Sequence, residues 1–178
     1  MAARQNSKSA EKQPKRPLYT PSERVRRDTT VWTLVQGILA PLQFLVFLVS
    51  LAFVIRALLT GAGYDLATGS VVLKTAILYI IMITGAIWEK VVFGKYLFVE
   101  SFFWEDVFSM AVIALHTAYL AALLGGWLSP TALLWLALAA YGAYVINAVQ
   151  FLLKLRAARR QSDATQTPLM PESNGVAA

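Results

Sequence analysis

The chain has no cysteine and one histidine, His116. The first absence excludes disulfides, thiolate-held iron–sulfur clusters and thiolate nucleophiles. The second excludes a multi-histidine metal site within one chain. Charge is also scarce, with Asp, Glu, Lys and Arg making up 15% of 178 residues. No glycine-rich phosphate loop follows a strand-like segment, so a nucleotide signature is missing. With 57% hydrophobic residues and a positive mean hydropathy, the composition excludes an ordinary soluble domain and indicates an integral membrane protein. The net charge of +6 does not point to nucleic acid, because the basic residues sit in tails flanking the apolar segments, where membrane orientation accounts for them.

What is present predicts an all-α protein, an integral bundle of four transmembrane helices with an interfacial connection between helices 2 and 3. Residues 1–30 read as a basic cytoplasmic tail without the apolar core of a secretion signal. The tail ends in a surface helix, which Thr20-Pro21 followed by Glu23 would start. The four spans are expected at about 31–55, 71–92, 105–124 and 131–153, each of a length that crosses a ~30 Å hydrocarbon core. Gly61, Gly63 and Gly69 are the expected breakers between the first two spans, and Gly125 to Pro130 form a tight turn between the last two. The transmembrane domain covers 31–155, and 156–178 reads as a disordered tail. Eight of the sixteen Lys and Arg precede the first span, four follow the last, and Lys90 and Lys95 lie in the middle connection. The positive-inside rule therefore places both termini and the middle connection of this multi-pass protein in the cytoplasm.

The stretch TGAIWEKVVFGKYLFVESFFWEDVFSMAVIALH gathers Glu89, Glu105, Asp106 and His116 beside apolar segments. A charge at hydrocarbon depth costs about 2.5–3.5 kcal/mol even on lenient scales, which puts these acids at an interface or in a polar cavity. Tyr79, Met82, Ala86 and Glu89 follow a helical spacing, as do Glu105, Ser109, Val112 and His116. On the second stripe His116 lies about 16 Å deeper than Glu105. Gln36, Gln43 and Ser50 recur every seven residues and share one inward face; they either hydrogen-bond neighbouring helices or line a ligand cavity. Asn147, with Tyr144 and Gln150, places polar groups on one side of the last span. Small residues there, Ala139, Ala143 and Ala148 among them, permit self-association or a complex with other enzymes. The aromatic connection, with Trp88 and Trp104 at its ends, offers a stacking surface for a flat ligand.

Converging carboxylates suit proton donation and water activation. The enzyme reading is therefore acid–base chemistry on a lipophilic substrate entering from the membrane plane. The competing reading is a non-catalytic pigment-binding or assembly protein in which His116 ligates a metal-centred macrocycle.

Three long stretches, PLYTPSERVRRDTTVWTLVQGILAPLQFLVFLVSLAFVIR, ITGAIWEKVVFGKYLFVESFFWEDVFSMAVIALHTAYL and YVINAVQFLLKLRAAR, closely resemble the vinyl hydratase family of bacteriochlorophyll biosynthesis. The resemblance implies addition of water across the 3-vinyl group of chlorophyllide a or a related bacteriochlorophyllide, giving a 1-hydroxyethyl group. It implies no cofactor of the protein's own, magnesium entering only as part of the substrate. It carries no catalytic set onto this chain. From the residues, Glu105 or Asp106 is the expected proton donor, Glu89 the group that positions or deprotonates water, and His116 the holder of magnesium or a ring substituent. Trp88, Trp104, Gln36, Gln43 and Asn147 are the other expected substrate contacts, together with membrane lipid around the bundle.

Overall fold

The computed structural model describes residues 18–166 and is helical throughout its regular structure. Helix α1 (Pro21–Thr29) begins with the expected capping box. The Glu23 amide donates to Thr20 Oγ1, the Thr20 amide donates to Glu23 Oε2, and Pro21 takes a first-turn position. Arg26 and Arg27 fill its last turn, where a cation complements the helix dipole. Thr30 is extended and caps the next helix, so the chain bends there without a loop.

Four long helices follow: α2 (Val31–Thr60), α3 (Tyr64–Phe93), α4 (Phe103–Gly125) and α5 (Pro130–Gln166). Each contains a segment long and apolar enough to cross a membrane, the last over Pro130–Ala157. Helices α2 and α3 form one antiparallel hairpin and α4 and α5 a second. The hairpins meet mainly through α2 against α5 and α3 against α4. At 1.5 Å per residue, the 30 residues of α2 or α3 measure about 45 Å, so they tilt or extend past the hydrocarbon.

Two expectations on the α2–α3 boundary are corrected. The second span begins at Tyr64 rather than near 71, and Gly69 lies inside α3 rather than breaking the chain. Gly61 and Gly63, both left-handed (φ 68° and 82°), complete the reversal by themselves. One further glycine among good helix formers then costs only about 1 kcal/mol and stops nothing. Pro41 sits within α2, and the helix continues through it. At the other end α5 passes position 155 and runs to Gln166. The basic tail before residue 18 and the chain after 166 lie outside the described residues.

Because lipid is as apolar as leucine, packing and interhelical hydrogen bonds hold such a bundle, at about 0.6 kcal/mol per bond. The core joins Phe47, Val54, Val71, Val112, Tyr119 and Tyr141, while Leu45, Ile83, Leu124 and Leu152 face outward. Between helices, Gln36 donates to Thr84 Oγ1 (2.7 Å), Asn147 to Ser109 Oγ (2.9 Å), and the Ser50 hydroxyl bonds Tyr141 OH and Ser70 Oγ (2.5 and 2.7 Å).

Candidate active site at the charged end of the bundle

Where α3 ends, α4 begins and α5 leaves the bundle, the three carboxylates converge. Glu89 comes from the last turns of α3, and Glu105 and Asp106 from the first turn of α4. All three are buried. Their burial follows from sequence spacing: Glu89 continues the inward stripe of α3, and Glu105 continues the Ser109, Val112, His116 stripe of α4, whose four members are all buried.

The acids have separate partners. Lys154 on α5 donates to Glu105 Oε2 at 2.5 Å, an ion pair largely withdrawn from solvent. Asp106 Oδ2 accepts the backbone N–H of Phe98 at 2.6 Å. Glu89 and Asp106 are within hydrogen-bonding reach of each other, while Glu89 Oε2 is buried without a partner. Two neighbouring carboxyl groups resist double ionisation, so this end of the bundle suits one group that gives a proton beside one that accepts it.

Phe98 is the only described non-glycine residue with a left-handed backbone (φ 57°). An aromatic residue held there is a strained element. It belongs to the connection between α3 and α4, which closes over the acids. Beneath it Tyr19, Trp88, Phe93 and Phe102 pack ring against ring: Trp88 meets Phe93 and Phe102 edge-on with centroids 5.7 and 5.9 Å apart, and Tyr19 stacks on Phe93 at 5.6 Å. Helix α1 is tied to this cluster, because Arg26 donates to the Val92 carbonyl (2.8 Å) and the Arg27 guanidinium lies 4.7 Å above the Tyr19 ring. Burial pushes the Tyr19 hydroxyl up from its ordinary range, and Arg27 opposes that shift.

The other expected contacts divide. Trp88 borders the acids and donates to Thr33 Oγ1 (2.9 Å). Trp104 does not join them: it is 67% exposed and meets only the neighbouring Phe103 ring. Asn147 is buried beside Ser109, one turn below the acids, with its Oδ1 unpartnered; Gln150 Oε1 is unpartnered too. Gln36 is engaged between α2 and α3, beside Gly85. Gln43 is buried deeper, with neither amide atom bonded. His116 is fully buried, and both ring nitrogens are taken: Nδ1–H donates to the Val112 carbonyl (2.8 Å), and Nε2 accepts from Lys74 Nζ (2.9 Å). It has no free lone pair for magnesium. Among the described residues no group of three or more His, Asp or Glu is arranged to hold a metal ion.

Two partners escaped the sequence reading. Lys154 reads as a charge leaving the membrane, yet it turns back to Glu105. Lys74 falls near the start of a span placed at 71, where a lysine is unremarkable. With α3 starting at Tyr64 it lies ten residues inside, and that depth was the available signal.

Fold and site together define a four-span membrane protein with a shielded cluster of carboxyl groups at one end. The family model for 2-vinyl bacteriochlorophyllide hydratase (BCHF) matches residues 19–157. The 2-vinyl bacteriochlorophyllide hydratase of Cereibacter sphaeroides is 64% identical over 154 residues, 86% of this chain and 95% of that protein. The protein of the same name from Rhodobacter capsulatus is 66% identical over 146 residues, 82% of this chain and 84% of that one. This chain belongs to the 2-vinyl bacteriochlorophyllide hydratase family. No solved structure matches it.

Proposed function

We propose that this hydratase of bacteriochlorophyll biosynthesis adds water across the vinyl group on ring A of chlorophyllide a or a bacteriochlorophyllide, with the Glu89–Asp106 pair as its acid and base. The observation that carries the assignment is the burial of these two neighbouring carboxyl groups together where α3 ends and α4 begins. Glu89, whose buried Oε2 receives no N–H donor, gives its proton to the terminal vinyl carbon, forming the new C–H bond and leaving a cation conjugated with the macrocycle. Water held by Asp106, whose ionised form the Phe98 N–H favours, adds through oxygen to the inner carbon. Its surplus proton passes to the carboxylates, so one water is consumed and the acid is restored.

Glu105 is the weaker candidate for donor, because its ion pair with Lys154 favours the ionised form. It supplies negative charge near the cation and fixes the first turn of α4. His116 is assigned no ligand role, since both of its nitrogens are engaged. The aromatic roof of Trp88, Phe93 and Phe102 shields the cation from bulk water.

The charged end faces the cytoplasm in this reading. Arg24, Arg26 and Arg27 of α1, Lys90, Lys95, and Lys154, Arg156 and Arg159 of α5 lie there, whereas the α2–α3 turn is flanked only by Arg56 and Asp65.

The test uses detergent-purified protein with chlorophyllide a, without nucleotide or reductant. A blue-shifted red absorption band and a mass gain of one water are expected. Pigment that binds and is released unchanged would overturn the catalytic reading.

A further inference from the structure

Lys74 lies at mid-bundle with no exposed surface. Its ammonium donates to His116 Nε2 at 2.9 Å and faces the rings of Tyr144 and Tyr141, 4.1 and 5.5 Å from their centroids. Because His116 Nδ1–H is given to the Val112 carbonyl, Nε2 is the acceptor of a neutral ring. No carboxylate pairs with Lys74 among the described residues. An ammonium carries three donors, and this one has a single hydrogen-bonded partner without charge. A buried charge in that state is costly and calls for a counter-ion.

A second group nearby is also incomplete. Gln43 is 1% exposed, and neither its amide nitrogen nor its oxygen has a partner. It sits one turn of α2 from Phe47, whose ring lies 4.9 Å from that of Tyr144. Lys74 and Phe47, the residue one turn on from Gln43, thus meet the same Tyr144 ring. Donors without acceptors match a group that only accepts, and a carboxylate is the anionic group of that kind.

We propose that Lys74, assisted by Gln43, receives the free carboxylate of the pigment and makes the enzyme selective for the unesterified acid. The proposal rests on the hydratase reading above. A chlorophyllide differs from a chlorophyll in carrying its propionate as the free acid, and that propionate hangs from ring D, which adjoins ring A, on the side turned away from the vinyl group. Along α4 the acid cluster and His116 are about 16 Å apart, eleven residues at 1.5 Å. That separation exceeds the reach from the macrocycle's centre to its vinyl carbon. It suits the longer path from vinyl group to propionate, so the ligand of this deep site is the carboxylate rather than the magnesium.

The experiment compares chlorophyllide a with its methyl ester on the full-length protein, native and Lys74→Met, by equilibrium binding and by turnover. The native protein is expected to bind the acid at least tenfold more tightly than the ester. K74M should weaken the acid to the level of the ester, and Gln43→Leu should narrow the acid–ester difference to a smaller degree. Equal affinity of the native protein for acid and ester overturns the proposal, as does a K74M variant that loses both pigments equally. The native acid–ester comparison needs no variant to fold. Binding is read without turnover, so a protein that discriminates the two but hydrates neither would sink the hydratase reading while sustaining the carboxylate site.

Discussion

Lys74 on α3 donates its hydrogen bond to His116 on α4, 2.9 Å away, and neither side chain reaches the surface of the bundle. The contact joins the two hairpins near their middle. A buried charge contributes little net stability, and an apolar replacement of similar shape is commonly neutral or stabilising. K74M is therefore expected to unfold in detergent at or above the native temperature. His116→Leu leaves the ammonium with no hydrogen-bonded partner and should cost about 1–3 kcal/mol or more. The double variant should recover most of that loss. A K74M protein that melts well below the native one would contradict this account.

The acid cluster makes an unequal prediction. E89Q and D106N remove members of the pair and should lower kcat by about 10²–10⁴-fold with pigment binding retained. E105Q and K154M each break the ion pair that fixes the first turn of α4, and E105Q also removes negative charge near the cation, so both should lose less than the pair members and E105Q more than K154M. Turnover read from the pigment's red absorption band separates the two classes. Full activity in E89Q and D106N alike would move the chemistry elsewhere.

A control lies in the other half of the bundle. The Ser50 hydroxyl sits between Tyr141 OH and Ser70 Oγ, linking α2, α3 and α5. S50A should cost about 0.6–1.7 kcal/mol, the range seen for interhelical bonds in membranes, and leave kcat unchanged. Thermal unfolding and turnover on the same preparations check both halves of the statement.

The absence of cysteine makes orientation directly measurable. Single substitutions Ser22→Cys on α1 and Ala62→Cys in the α2–α3 turn fall on exposed positions at opposite ends of the bundle. In right-side-out membrane preparations an impermeant maleimide should label A62C and spare S22C until the membrane is opened. The reverse pattern would invert the topology.

The four spans, the inward stripes and the convergence of Glu89, Glu105 and Asp106 were legible in the sequence because each depends on periodicity along a single helix. The partners were not, because they depend on how helices meet. Nothing near Glu105 in the chain announces Lys154, forty-nine residues on, and Trp104 reads like Trp88 until packing turns one inward and the other out. The boundary at Gly69 failed for a different reason. A glycine acts as a breaker only where the backbone must turn left-handed, and two residues at 61 and 63 had already turned it.

The bond from Phe98 N–H to Asp106 has a consequence for how this protein answers mutagenesis. The donor is a main-chain group that every residue except proline possesses, so replacing the Phe98 side chain leaves it in place. An alanine scan across the connection would report a tolerant loop and miss the support it gives to a reacting carboxyl group. Only chemistry on the peptide unit itself, such as exchange of that amide for an ester, would make the support visible.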